Sequence, residues 1–191
     1  MSRDADVIVI GAGIVGAACA HDLAQAGLHV RVLDDRRGGA TAAGMGHLVV
    51  MDDSPAELAL SHFSLHRWHE WAPVLHGDCA WSPCGTLWIA ANEAEMAAAH
   101  DKQRTLQAHG LTCHLVTSHA LQAMEPALRT GLAGALHVPG DSAVYAPNAA
   151  KWLLNRWPDR VQVQQATVLA IEEGRVQLDN RQWLHASAVV L

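Results

Sequence analysis

The sequence predicts an α/β protein of the Rossmann, dinucleotide-binding type: a parallel sheet with helices on both faces plus a β meander, interrupted by an inserted, incomplete α+β layer. Three observations predict it. The chain opens with a β-branched run, Asp6-Val7-Ile8-Val9-Ile10, that reads as a strand buried on both faces. It breaks at Gly11-Ala12-Gly13-Ile14-Val15-Gly16 into a helical stretch from Ala17 to Ala26, which Gly27 stops. A second strand, His29-Val30-Arg31-Val32-Leu33, follows and closes on an acid, Asp34.

Each of these residue types suits a dinucleotide. Gly11 permits the tight turn out of the strand, Gly13 carries no side chain to fend off a diphosphate, and Gly16 lets the helix lie close to the sheet. The free N–H groups at the helix start, around Ala12, Ile14 and Val15, and the helix dipole face the phosphates. Asp34, eighteen residues beyond Gly16 and followed by Asp35, lies where a carboxylate accepts ribose hydroxyls. The bland alternative is a glycine-rich turn in an unrelated α/β protein; strand, glycines, helix, strand and acid in register argue against it.

The next segment, Arg36-Arg37-Gly38-Gly39-Ala40-Thr41-Ala42-Ala43-Gly44-Met45-Gly46-His47, bears on which nucleotide is bound. NAD-binding chains usually enter a crossover helix here. This one inserts a small-residue loop able to line an extended cofactor with backbone N–H groups and the Thr41 hydroxyl. Arg36 and Arg37 form either a solvated turn or a grip on the 2′-phosphate of NADP, which Asp34 would repel. Through the Gly11 to Gly16 fingerprint, the Val32-Leu33-Asp34 strand end and the Gly39-Ala40-Thr41-Ala42-Ala43 loop, the chain resembles the D-amino-acid oxidase superfamily. Within it the likeness is to the bacterial glycine and sarcosine oxidases, D-amino-acid dehydrogenases and hydroxyproline-dehydrogenase-type subunits. That resemblance implies FAD as cofactor, Arg36 near the adenine end, Thr41 and Ala42 along the cofactor, Gly46 and His47 at the isoalloxazine ring, and the Val168 backbone at the adenine. Many relatives carry Glu at the place of Asp34. His47 stays open between a backbone-bonded buried histidine, a flavin neighbour and a covalent attachment point, and it is the one catalytic candidate in this half.

Further along, Ser54-Pro55-Ala56-Glu57 is a capping box that opens a helix to about residue 72, with Leu58, Leu65, Trp68 and Ala72 on one face. His62, His66, His69 and Glu70 on that helix have metal-like spacing. No cysteine or carboxylate cluster completes a tetrahedral set, so packing is preferred, as it is for Trp71, Trp81 and Trp88. Strands are expected at Gly85 to Ala90, His114 to Thr117 and Leu132 to Val138, with a helix between Asn92, which makes a second capping box with Glu95, and Gly110, and a short one before Pro126. Pro147 starts a helix ending near Trp157-Pro158. After it come an exposed strand at Val161 to Val163 and a meander at Val168 to Ile171, Arg175 to Leu178 and Trp183 to His185. The expected division is an FAD-binding part over 1–78, the start of a substrate-binding layer over 79–142, and a return to the FAD-binding part over 143–191.

The last run, Ala188-Val189-Val190-Leu191, reads as a buried parallel strand that in the resembled family leads to a glycine-containing turn near the FAD. The expectation is therefore a truncated or split protein: the N-terminal half of an enzyme, inactive alone.

Half of the residues are hydrophobic and the net charge is −6, which describes a chain with a real core and no electrostatic footprint for nucleic acid. The apolar run from Val7 to Ala20 is too short to span a bilayer and follows acids rather than a basic leader. Cys19, Cys79, Cys84 and Cys113 lack a secreted framework, although Cys79 and Cys84 are close enough in sequence to pair. A reduced, cytoplasmic setting is expected, at most peripheral to the inner face of a membrane. By resemblance the reaction is hydride transfer from the carbon bearing an amine to flavin N5, with imine hydrolysis, on a small amine or amino acid. Oxygen, a quinone, a partner subunit or an acceptor protein takes the electrons. The competing readings are an NAD(P)-linked reductase and a non-catalytic nucleotide-binding subunit that needs a partner chain.

Overall fold

The β-branched opening run forms β1 (Val7–Ile10) in a computed structural model that describes residues 3–52 and 54–191. After it come α1 (Ile14–Gln25), β2 (Val30–Asp34), α2 (Ala40–Ala43), β3 (His47–Leu48) and α3 (Pro55–Trp71). The middle of the chain supplies β4 (Thr86–Ala90), α4 (Glu93–Ala108), β5 (His114–Thr117), α5 (Ser118–Met124), β6 (Gly134–Val138) and β7 (Ser142–Ala143). The last part holds α6 (Ala146–Leu154), β8 (Val161–Gln165), β9 (Val168–Glu172), β10 (Arg175–Leu178), β11 (Trp183–His185) and β12 (Ala188–Val190). These elements group into two units, one of Met1–Gly46, Leu75–Ala80 and Tyr145–Leu191, the other of His47–Val74 and Trp81–Val144.

The first unit is a parallel sheet in the order β12-β1-β2-β8. Period-2 alternation sends Ile8 and Leu33 to one face, where Val176, Leu178 and Leu184 of the antiparallel β9-β10-β11 meander bury them. Fully burying such side chains stabilises the unit by about 1.5–3 kcal/mol each. On the other face, beneath α1, lies Val9. α1 packs on α6, whose Ala149, Ala150, Leu153 and Leu154 are buried. The turn Gly77–Cys79 returns to this unit and fixes the start of α6: the Tyr145 N–H donates to the Cys79 carbonyl at 2.7 Å, and Asn148 Nδ2 to the Asp78 carbonyl at 2.9 Å. Several element bounds differ from expectation. α1 starts at Ile14 because Gly13, extended at φ −67° and ψ 177°, is its N-cap, and α6 stops at Leu154 because Asn155 caps it. Val161 to Val163 belong to an edge strand paired in parallel with β2, in which Val161 is buried and only Gln162 and Val163 are exposed.

The second unit has an antiparallel sheet in the order β4-β6-β5 and a two-stranded β3-β7 ladder. Both capping boxes form: Ser54 Oγ accepts from the Glu57 N–H at 3.2 Å, and Asn92 Oδ1 from the Glu95 N–H at 3.0 Å. Leu58 and Leu65 of α3 enter one cluster with Leu106, Leu136 and Val138, so residues 47–74 group here rather than with the expected 1–78 segment. Trp88 is 53% exposed and lies under Lys102 rather than in a core. All four cysteines are free thiols.

Candidate functional site

The strand-to-helix corner of the first unit turns at Gly11, whose φ of +104° is a conformation that side chains disfavour, and whose N–H donates to the Leu33 carbonyl at 2.7 Å. A Cβ at Gly16 would lie 2.0 Å from the Gly11 carbonyl oxygen, so the close approach of α1 to the sheet requires glycine. The first amides of α1 have no acceptor within the helix and point out of the corner. Ile14 N–H donates at 2.9 Å to Thr41 Oγ1, the one expected loop group that reaches the helix end. A Cβ at Gly13 would meet that same oxygen at 2.9 Å.

Asp34 ends β2 at this corner. Its Oδ2 accepts from the Ala12 N–H at 2.7 Å and its Oδ1 from the Arg36 N–H at 2.8 Å. Both oxygens keep a lone pair for a further donor. The second bond holds Arg36 at φ 60°, left-handed backbone that a non-glycine residue adopts at a cost of about 1–2 kcal/mol. Asp35 turns aside, accepting from the Arg37 N–H at 3.0 Å and pairing with Arg37 Nε at 3.3 Å.

In front of the corner lies an open groove of about 560 Å³. Ala12, Gly13, Asp34, Arg36, Thr41 and Ala42 line it together, with the rest of the loop from Gly38 to Ala40. Gly11, Ile14 and Gly16 shape the corner behind it, and the Val15 side chain is 73% exposed at the first turn of α1. Val168 is not on the groove wall; it opens β9 and packs toward Ile8 and Leu33. Gly46, at φ 71°, ends the first unit. The opposite wall had no sequence motif: Pro147, Ala150, Lys151 and Leu154 of α6, and Val163, Gln164 and Gln165 at the carboxyl end of β8. The rule that ligands bind outside the carboxyl ends of parallel strands was the signal available for β8.

In the second unit His47 opens β3 opposite Ala143 and is exposed. It lines an open groove of about 300 Å³ with Leu48, Met51, Leu60, Ser61 and Trp68 among others. The segment behind this groove is held from within the unit. Asp141, 2% exposed, accepts from the Val50 N–H at 3.2 Å, and Lys102 pairs with Asp52, each side chain 12% exposed. Burial pushes the Asp141 carboxyl above its ordinary value, against the pull of Thr86, Val50, His69 and Lys102, and burial lowers Lys102. His69 Nε2 bonds the Gly140 carbonyl at 2.9 Å and its ring meets Trp81 edge-on, while His66 pairs with Glu70.

A family model described as DAO, FAD dependent oxidoreductase, matches residues 6–191. The chain belongs to the DAO family of FAD-dependent oxidoreductases. Glycine oxidase from Pseudomonas aeruginosa is 27% identical over 187 residues, which cover 93% of this chain and 48% of that protein. Among solved structures, glycine oxidase from Geobacillus kaustophilus superposes with a TM-score of 0.84 at 23% identity, over 98% of this chain and 55% of that one. The FAD-bound L-alpha-glycerophosphate oxidase from Mycoplasma pneumoniae gives 0.74 at 19% identity, over 99% and 53%. The chain thus spans about half the length of these DAO relatives. FAD is the family's cofactor, so the NAD(P)-linked reading gives way. The corner of this DAO chain fits such a group: glycines where a Cβ would collide, a pinned carboxylate, and an open groove before them. No helix among the described residues is long and apolar enough to cross a membrane.

Proposed function

We propose that the first unit seats FAD with its diphosphate at the start of α1 and its adenosine ribose on Asp34, in the service of oxidising the C–N bond of an amino acid or secondary amine in a reduced, cytoplasmic setting. The observation that carries this reading is the 2.7 Å bond from the Ala12 N–H to Asp34 Oδ2, which ties the ribose acceptor to the phosphate corner. FAD, when bound, supplies the two-electron acceptor. The chain's own residues bind and orient: Val15 offers its N–H at the positive end of the α1 dipole, Ile14 N–H holds Thr41 in place, Thr41 offers its hydroxyl proton, and Asp34 holds the sugar. Arg36 flanks the adenine side, and the loop through Ala42 covers the cofactor. Asp35 and Val168 belong to the proposed set as backbone neighbours of the adenosine, and Gly46 and His47, next along the chain, as the flavin-side residues. The second unit is the proposed beginning of the substrate layer.

The amine is the chemistry carried by the glycine oxidase relatives. The test is flavin uptake followed by anaerobic bleaching with glycine, sarcosine, D-amino acids or hydroxyproline, using the protein with any subunit that accompanies it. Absence of retained flavin overturns the seat, whereas retained flavin that only a nitrogen-free substrate, an alcohol or α-hydroxy acid, bleaches overturns the C–N assignment.

A further inference from the structure

We infer that Lys151 of α6 is a cofactor-binding cation that takes phosphate charge from the dinucleotide, an inference that rests on the FAD seat proposed above. The chain has two lysines. Lys102 is committed: it pairs with Asp52 and lies 4.2 Å from the Trp88 ring centroid. Lys151 is exposed, its ammonium makes no hydrogen bond or ion pair with the described residues, and it lies on the face of α6 that walls the groove with Pro147, Ala150 and Leu154.

Of the groove residues, Asp34, Arg36 and Lys151 alone carry charge. Arg36 and Asp34 cancel, so Lys151 decides the sign. Asp34 makes no ion pair with it among the described residues; its carboxylate bonds the N–H groups of Ala12 and Arg36. An ammonium on a flexible four-carbon stem has the reach and the compact charge to meet a phosphate lying in the groove. The plain alternative is a solvated lysine favoured by the dipole at the last turn of α6. Such a lysine would stabilise the helix and leave ligand affinity alone.

The test is binding of FAD and of ADP to the chain and to its Lys151→Gln and Lys151→Arg variants, at low and high salt, by flavin fluorescence and calorimetry. Lys151→Gln weakens both ligands about three- to tenfold and flattens the salt dependence, and Lys151→Arg restores both. Unchanged affinity and salt slope in Lys151→Gln overturn the inference, as does equal loss in Gln and Arg variants with the wild-type slope. Failure of the unsubstituted chain to bind either ligand overturns the FAD seat and this inference together.

Discussion

Gly16→Ala tests the corner at the point where the geometry is tightest. A Cβ there would lie 2.0 Å from the Gly11 carbonyl oxygen and 3.3 Å from Val9 Cγ1, against 3.4 Å for ordinary contact with any neighbour. The carbonyl clash is short by about 1.4 Å, and neither partner is the free end of a flexible side chain. The start of α1 must lift from β1 by roughly that distance. Such a shift breaks the 2.9 Å bond from the Ile14 N–H to Thr41 and moves the first amides of α1 away from Asp34. Overpacking of this kind costs about 1–3 kcal/mol of stability. Each 1.4 kcal/mol of distortion that must be undone on binding weakens FAD about tenfold. Urea unfolding and flavin-fluorescence titration measure the two effects. Gly140→Ala is the control, because a Cβ there meets nothing within 4 Å, its backbone is not left-handed, and it does not line the groove. If Gly16→Ala is as stable as the parent and binds FAD equally well, the argument that glycine closes this corner fails.

Asp34→Ala removes the acceptor of two backbone N–H groups together with the proposed ribose partner, and FAD affinity is expected to drop about 10- to 100-fold in the same titration. Thr41→Val strips the acceptor from Ile14 N–H and lowers stability by about 0.5–1.5 kcal/mol in urea, while Thr41→Ser stays near wild type. Burial holds the Asp141 carboxyl above its ordinary 3.8, so the native chain keeps a proton that the unfolded chain releases. Stability from this group is therefore full below the unfolded value and is lost as pH rises through the raised native one. In Asp141→Asn that decline is expected to flatten in urea midpoints taken from acidic to neutral pH. A slope identical to wild type refutes the assignment.

Local signals carried the first unit's front edge into the sequence reading. The Val7 to Ile10 run forms β1, Gly11 turns out of it at φ +104°, and Gly16 admits α1 close to the sheet, each for a reason that operates within a few residues. The same holds for the boxes at Ser54 and Asn92. What escaped is long-range. Val161 to Gln165 pairs with β2 from more than a hundred residues away, and no local pattern names its partner. Lys151 and Leu154 reach the groove only because α6 packs on α1. Residues 47–74 follow α3 into the second unit because Leu58 and Leu65 find Leu136, a choice made by the core. Val168 satisfies the meander's core through its side chain, so the groove lining stops at Gln165.

The pairing of Val7 with Ala188 and of Val30 with Val161 has a kinetic consequence. Strands this distant must close large loops before their contacts repay the lost chain entropy, the regime of high contact order and slow folding. During synthesis the middle of the chain can settle while β1 and β2 still wait as an unpaired, apolar two-strand ribbon. Cofactor capture is thereby made to wait for β8 and β12, the strands that complete the sheet behind the corner.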